Sequence, residues 1–86
     1  MQPHVKNYFK AFGYDESSVI LCEMCGSAQG VEVHHIEPRS KFGSKRKAEQ
    51  DHISNLIALC RFDHEIAHGP NSRNMKEIYK QIIANR

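Results

Sequence analysis

Three cysteines are the residues whose spacing first suggests chemistry. Cys22 and Cys25 form a C-x-x-C pair, and Cys60 follows much later in the chain. A C-x-x-C loop lets two thiolates approach one tetrahedral ion at about 2.3 Å, and a cysteine from a distant segment can help to close the site. Disulfides are disfavoured because an odd number of cysteines leaves one over. The cysteines therefore predict structural zinc; a thioredoxin-like redox pair would need a βαβ context that so short a chain does not show.

The spacing after Cys60 leaves the fourth zinc ligand open between two residues. If a helix begins at Cys60, then Asp63 at i+3 and His64 at i+4 both return to its face. His68 would lie about 12 Å farther along the helix axis, too far to share an ion with Cys60. Asp63 and His64 are therefore the two candidates.

Four histidines form two further pairs. His34 and His35 are adjacent within "VEVHHIEP", an alternating stretch in which strand side chains would point to opposite faces. His64 and His68 are four residues apart, which on a helix places two imidazoles about 6 Å apart on one face. A pair at this spacing can hold one divalent ion. Exposed pairs also occur by chance, so metal binding here depends on the other motifs.

The ordered motifs "CEMCG", "VHHIEPRS" and "NLIALCRFDHEIAH" resemble those of the HNH endonuclease family, from about Cys22 to His68. In that family a paired His-His, a central Asn and a closing His lie on a ββα-metal hairpin and helix. Members with zinc knuckles usually carry a second C-x-x-C, and Asp63 stands where its second cysteine would be. By that register Asp63 would complete the zinc site through a carboxylate oxygen and leave His64 for catalysis. Otherwise His64 binds zinc and His68 serves the catalytic ion.

The resemblance implies a catalytic set of His35, Asn55 and His64. His35 is similar to the family's general base, which takes a proton from the attacking water; an imidazole with a pKa near about 6.5 suits that task. His34 and His64, with His68 as a third ligand, would hold one divalent ion, Mg²⁺, Mn²⁺ or another, that polarises the scissile phosphate. Asn55 would hydrogen bond to the backbone of the loop between the two strands and keep His35 oriented.

A basic segment follows the paired histidines. "RSKFGSKRK" has no acidic residue, although the formal net charge of the whole chain is only +2. In isolation such a run is equally well explained as a solvated loop. Next to an HNH site it would contact the phosphates of double-stranded DNA, which gives affinity without sequence choice. The residues expected to do so are Arg39, Lys41, Lys45, Arg46 and Lys47.

Apolar residues recur at helical spacing near both ends of the chain. The first stretch, residues 4–12, precedes Gly13 and predicts an N-terminal helix. The second follows Asn71 or Ser72, either of which can cap a helix. The apolar face of this C-terminal helix consists of Met75, Ile78, Tyr79, Ile82 and Ile83.

Short elements are expected between these two helices. "SSVILC" and "GVEVHHIEP" each predict a strand, and "NLIALC" repeats the apolar approach to a cysteine. Residues 39–50 predict a loop, and Arg61 to about His68 predicts a short helix ended by a Gly-Pro pair. His4 and His52 are expected at the surface without a role.

These features together predict one α+β domain over residues 1–86, a small zinc-stabilised ββα-metal fold with flanking N- and C-terminal helices. A chain of 86 residues buries only about 60% of its unfolded surface, so the metal is expected to be needed for stability. No apolar run approaches the roughly 18 residues of a membrane span, and the N-terminus lacks the apolar region of a signal peptide. We therefore expect a cytoplasmic protein without membrane contact; the resemblance implies a bacterial or phage-infected cell.

The expected function is metal-dependent hydrolysis of DNA phosphodiester bonds. Cutting of both strands by a protein with one active site would favour a homodimer. The alternative is a non-catalytic zinc-knuckle module that binds nucleic acid. The presence of His35 and Asn55 argues against that alternative, because a protein that only binds needs neither.

Overall fold

A two-stranded hairpin followed by a helix forms the centre of the fold. The structure is a computed structural model, and it describes residues 2–86. The α+β class predicted from the sequence is confirmed. In chain order the elements are α1 (Pro3–Phe12), β1 (Glu32–His35), α2 (Arg39–Phe42), a 3-10 turn (Ser44–Arg46), α3 (Lys47–Gln50), a second 3-10 turn (Ile53–Asn55), β2 (Leu56–Leu59), α4 (Arg61–Ala67) and α5 (Ser72–Ala84).

The hairpin directs the two adjacent histidines to opposite sides of the sheet. β1 and β2 are antiparallel, with His34 opposite Ile57 and His35 opposite Leu56. Side chains that are directly opposite in an antiparallel pair share a face, and successive residues alternate between faces. His34 therefore lies on the face of Ile57, and His35 lies on the face of Leu56.

Each face of the hairpin has its own small core. Ile57 packs in a cluster with Cys22 and Tyr79 beneath α4 and α5, whereas Leu56 packs with Tyr8 of α1. Every residue of β2 is fully buried. The sheet thus separates an α1 side from an α4–α5 side, and this division decides which side chains each histidine can meet.

Helix α1 begins with Pro3 and ends before Gly13, whose φ of 70° is left-handed and favours glycine. The helix predicted for residues 4–12 is therefore confirmed. The prediction of a surface position for His4 is wrong, because this side chain is only 6% exposed. His4 lies four residues before the buried Tyr8, so both side chains occupy the same helical face. His52 is exposed, as predicted.

The strand predicted for "SSVILC" is not formed. These residues lack regular structure, and Val19 is 71% exposed. The backbone of this segment instead turns: Cys22 N donates to Ser27 O at 2.8 Å, and Glu23 N donates to Ala58 O at 2.9 Å. The backbone hydrogen bonds of this segment form the cysteine turn, and the residues before the turn pair with no strand among the described residues.

The segment 39–50 contains α2, a 3-10 turn and α3, so the prediction of a loop is wrong. Ion pairs at helical spacing stabilise the two short helices: Lys41 pairs with Glu37, and Arg46 pairs with Glu49. Gly43 lies between the helices with a φ of 67°. Each local pair of this kind adds only a few tenths of a kcal/mol to helix stability. A pattern based on apolar spacing does not reveal such pairs.

The two C-terminal helices follow the predicted bounds closely. Helix α4 covers Arg61–Ala67, and α5 covers Ser72–Ala84 with Asn71 as its N-cap residue. Tyr79 is buried, but Ile78 on the predicted apolar face is 42% exposed. None of the helices within residues 2–86 combines the length and apolar character needed to span a bilayer.

Candidate functional site

Three thiols and one carboxylate converge between the cysteine turn and the start of α4. Asp63 Oδ2 lies 3.1 Å from Cys22 Sγ and 3.3 Å from Cys60 Sγ, and Cys25 Sγ lies 3.7 Å from Cys60 Sγ. All four ligand atoms are within 4.8 Å of one another. A tetrahedron with metal–sulfur bonds of about 2.3 Å has sulfur–sulfur edges of about 3.8 Å. The cysteine cluster (Cys22, Cys25, Cys60 and Asp63) therefore fits a metal ion.

The backbone around each cysteine accounts for this convergence. Gly26 N donates to Cys22 O at 2.9 Å, and the left-handed Gly26, with a φ of 79°, closes the turn between Cys22 and Cys25. Cys60 is the N-cap residue of α4, and its sulfur accepts from Asp63 N at 3.5 Å. A residue three positions after the N-cap returns over it, so the Asp63 carboxylate reaches the thiols. The side chain of His64, the next residue along α4, projects away from the thiols.

Glu23, inside the C-x-x-C turn, connects the cysteine cluster to the rest of the chain. Its Oε2 accepts from Tyr8 Oη of α1 and from Ala58 N of β2, both at 2.8 Å. Arg86 Nη1 donates to Glu23 Oε1 at 2.9 Å. One largely buried carboxylate thus links the turn to both ends of the chain and to the central strand.

A second set of ligands lies on the α4–α5 side of the hairpin. The rings of His64 and His68 are 5.2 and 5.3 Å from that of His34, centroid to centroid, and Nε2 of His64 is 3.3 Å from Nε2 of His68. Two nitrogens bound to one ion at about 2.1 Å are about 3.0–3.4 Å apart, depending on geometry. The histidine cluster (His34, His64 and His68) therefore also fits one cation. Of the two candidates for the fourth zinc ligand, His64 lies in this cluster and Asp63 lies with the thiols.

The environment of His34 keeps its imidazole neutral. Burial, and after it the nearby imidazoles of His64 and His68, lower the pKa of His34 to about 4. A neutral imidazole has a free lone pair, which a metal ligand needs. His34 is therefore ready to bind a cation at neutral pH.

His35 occupies the α1 side of the hairpin, where it meets a carboxylate. Its Nε2 lies 2.8 Å from Asp51 Oδ1, and both side chains are mostly buried, at 11% and 15% exposed. Gln50 Nε2 donates to the same Oδ1 at 3.1 Å. A carboxylate only accepts, so Nε2 of His35 carries the proton in this contact. In the neutral ring Nδ1 then has the lone pair, and it forms no hydrogen bond within residues 2–86.

Asn55 spans the segment that joins the two strands. Its Oδ1 accepts from Glu37 N at 2.8 Å, and its Nδ2 donates to Glu37 O at 3.2 Å and to Gln50 O at 2.9 Å. Glu37 is two residues after His35, and Gln50 is immediately before Asp51. Asn55, which is 7% exposed, therefore holds the chain next to both members of the His35–Asp51 pair.

One open cavity brings the two sides of the hairpin together. It has a volume of about 450 Å³, and its lining includes His35 as well as the whole histidine cluster. Arg39 and Lys76 add two cations to its rim. A group seated in this cavity would meet a proton acceptor, a cation site and positive charge at once.

A family profile for the HNH endonuclease matches residues 22–69, more than half of the chain. The chain belongs to the HNH endonuclease family. Comparison with curated proteins and with solved structures gives no significant match. The HNH resemblance drawn from the sequence between about Cys22 and His68 is confirmed.

The basic residues expected to contact DNA differ in their positions and in their acidic partners within this HNH domain. Arg39 borders the cavity, and Lys45 and Lys47 are exposed. Lys41 and Arg46 are paired with acidic residues close to them in the sequence, Glu37 and Glu49. Of the predicted basic residues, only Arg39 lies at the site itself.

Sequence reasoning missed three residues around the HNH site. Asp51 and Lys76 carry no periodic signal, since each reaches the site from a segment remote from the histidines. His4 packs its ring 4.4 Å from that of His35, centroid to centroid. Its spacing of one helical turn from Tyr8 is the signal that could have placed it inside the protein.

Proposed function

We propose that this HNH domain is a metal-dependent nuclease that hydrolyses phosphodiester bonds in double-stranded DNA. The observation that carries the proposal is the single cavity bordered by His35 and by the histidine cluster. Family membership supports nuclease chemistry in general, and the arrangement of these side chains supports a specific division of roles.

His35 is the proposed general base. Its Nδ1 is free to accept the proton of an attacking water, while Nε2–H donates to Asp51. The ring becomes positively charged when it takes that proton, and the Asp51 carboxylate at 2.8 Å stabilises the charged form and fixes the ring orientation. Asp51 is thus a positioning residue, and Asn55 positions the pair through the backbone.

His34, His64 and His68 are the proposed ligands of the catalytic cation. An ion bound there would polarise the scissile phosphate and stabilise the oxygen that leaves. Three imidazole nitrogens favour transition-metal ions over Mg²⁺, which prefers oxygen ligands. Mn²⁺, Co²⁺, Ni²⁺ and Zn²⁺ should therefore be compared with Mg²⁺ in any assay.

The cysteine cluster is the proposed structural zinc site, with Cys22, Cys25, Cys60 and Asp63 as ligands. Its position between the C-x-x-C turn and the start of α4 supports this role, because an ion there would fix the helix that carries His64 and His68 relative to the hairpin. Neutral thiols must lose their protons to bind, so zinc affinity should fall at low pH.

Phosphates are the proposed partners of the basic residues. Arg39 borders the cavity and suits the phosphate next to the scissile bond, whereas Lys76, also on its rim, pairs with Glu37 at 3.3 Å. Lys45 and Lys47 are exposed and suit flanking phosphates, while Lys41 and Arg46 would first have to leave their acidic partners. Such contacts give affinity without sequence choice.

A plasmid nicking assay tests the proposal. Supercoiled DNA is incubated with each divalent cation and with wild type, His35→Ala or the control His52→Ala, whose histidine is exposed and lies outside the cavity. General-base catalysis contributes typically 10²–10⁴-fold, so His35→Ala should nick at least about a hundredfold more slowly. His52→Ala should stay within a few fold of wild type.

Binding measurements separate this nuclease from the non-catalytic alternative. His35→Ala should still shift labelled duplex DNA in a gel, because the basic residues are unchanged. Equal nicking by wild type and His35→Ala would remove His35 from the mechanism. Tight DNA binding by wild type without nicking under any cation would favour the zinc-knuckle binding module.

A further inference from the structure

A third group of potential metal ligands lies on the α1 side of the hairpin. His4 of α1, His35 of β1 and Asp51 after α3 place their ligand atoms within 4.8 Å of one another. The rings of the two histidines are 4.4 Å apart between centroids. We call this set the α1-side cluster.

Within the α1-side cluster, the buried His4 side chain has a ring nitrogen without a hydrogen-bond partner among the described residues. The residue is 6% exposed, and the nitrogen is Nδ1. A buried polar atom without a partner destabilises the folded state. A neutral imidazole offers a metal ion the lone pair of one ring nitrogen.

The donor set of the α1-side cluster selects a class of ion. Two imidazole nitrogens and one carboxylate oxygen form a set that zinc accepts, with a remaining position for water. Imidazole suits zinc, copper, iron and nickel, whereas Mg²⁺ prefers six oxygens in near-octahedral geometry. The cluster should therefore discriminate strongly against Mg²⁺.

We propose that His4, His35 and Asp51 form an inhibitory binding site for Zn²⁺ or a similar transition-metal ion. The site is separate from the histidine cluster because His34 and His35 lie on opposite faces of β1. Its inhibitory effect rests on the proposed role of His35 as general base, but the binding of the ion does not. His4 lies in α1, outside the residues that match the HNH family.

The inhibition follows from where the His35 proton resides. In the structure Nε2–H donates to Asp51, and Nδ1 has the lone pair. Nε2 is the nitrogen next to the carboxylate, so an ion shared with Asp51 would occupy the Nε2 lone pair and release that proton to solvent. The neutral ring then carries a proton from solvent on Nδ1, with no net change in protons. His35 can no longer accept a proton from water at Nδ1.

Counting bound ions tests the site without any nuclease assay. Equilibrium dialysis against excess Zn²⁺ should give three ions per wild-type chain, one for each cluster. His4→Phe, which keeps an aromatic ring against His35, and His4→Gln should each bind one ion fewer. The control His52→Phe removes an exposed histidine and should still bind three. Circular dichroism establishes which variants are folded, and equal counts in wild type and in either folded His4 variant would overturn the proposal.

Nitrogen NMR reports the proton on His35 directly. Before excess Zn²⁺ is added, the His35 ring should be protonated at Nε2, and at saturation it should be protonated at Nδ1. In His4→Gln the same addition should leave the ring protonated at Nε2. A wild-type ring that keeps its Nε2 proton at saturation would overturn the site.

A titration of activity against metal concentration tests the inhibition. Wild-type nicking should rise as Zn²⁺ or Ni²⁺ fills the histidine cluster and then fall at least about tenfold at higher concentration, because the general base is lost. Activity of His4→Phe, relative to its own maximum, should not fall. If no cation supports nicking, the proposed function fails, while ion counts and NMR still decide whether the α1-side cluster binds metal. A fall of equal size in wild type and His4→Phe would refute the inhibitory role.

Discussion

Replacement of Asn55 by alanine should destabilise the domain and also slow it as a nuclease. The side chain is 7% exposed and makes three hydrogen bonds, all to backbone atoms of Glu37 and Gln50. Each bond contributes about 0.5–1.5 kcal/mol net, and the alanine leaves its partners without a replacement. We therefore expect the unfolding free energy of Asn55→Ala to fall by about 2–4 kcal/mol.

The catalytic effect should exceed what unfolding explains. Glu37 and Gln50 flank His35 and Asp51, so loss of the bridge lets the base and its carboxylate drift apart. A misplacement of about 1 Å can cost about a hundredfold in rate. We expect a nicking rate lower by about that factor at a temperature where the variant is still folded.

Urea denaturation and the nicking assay should be performed on the same preparations. Asn74→Ala is the matched control, because Asn74 is exposed on α5 and should shift stability by no more than about 0.5 kcal/mol. Asn55→Asp keeps an acceptor for Glu37 N but loses both donors, so it should lie near Asn55→Ala in activity. A folded Asn55→Ala protein with wild-type activity would refute the positioning role of Asn55.

Metal removal and pH provide two further predictions. Chelation should abolish the cooperative thermal transition seen by circular dichroism, because so small a core depends on the ion. After dialysis, Asp63→Ala should retain no tightly bound zinc, whereas His64→Ala should retain it. The reverse result would place His64 at the thiols. The pKa of His34 is lowered to about 4, so between about pH 6.5 and pH 4 the unfolded chain binds a proton that the folded chain does not, and this residue reduces stability as pH falls through that window. NMR of the His34 ring, in protein that carries zinc at the cysteine cluster and no ion at the histidine cluster, should give a midpoint well below 6.5. A midpoint at or above 6.5 would contradict the burial of this ring.

The parts of the site that follow local spacing could be predicted from the sequence. Cys22 and Cys25 are brought together by one turn, and His64 and His68 by one turn of α4. The opposite directions of His34 and His35 follow from strand geometry alone.

The partners of the base required tertiary information. Asp51 directly follows residues 39–50, a segment predicted to be a loop that instead folds into short helices with local ion pairs. His4 comes from the N-terminal helix, and its contact with His35 depends on how α1 packs on the sheet. Neither contact leaves a spacing signal near the HNH motif, because helix docking is set by the apolar cores rather than by the motif.

The alternation of β1 has a consequence for how this site could vary. Moving β1 by one residue relative to β2 would exchange the two imidazoles, turning the proton acceptor toward α4 and a cation ligand toward α1. Intermediate arrangements do not exist, since a pleated strand has only two sides. The division of labour between His34 and His35 is therefore a matter of odd and even positions, and the fully buried β2 protects it against slippage. A single inserted residue would be more damaging than many substitutions.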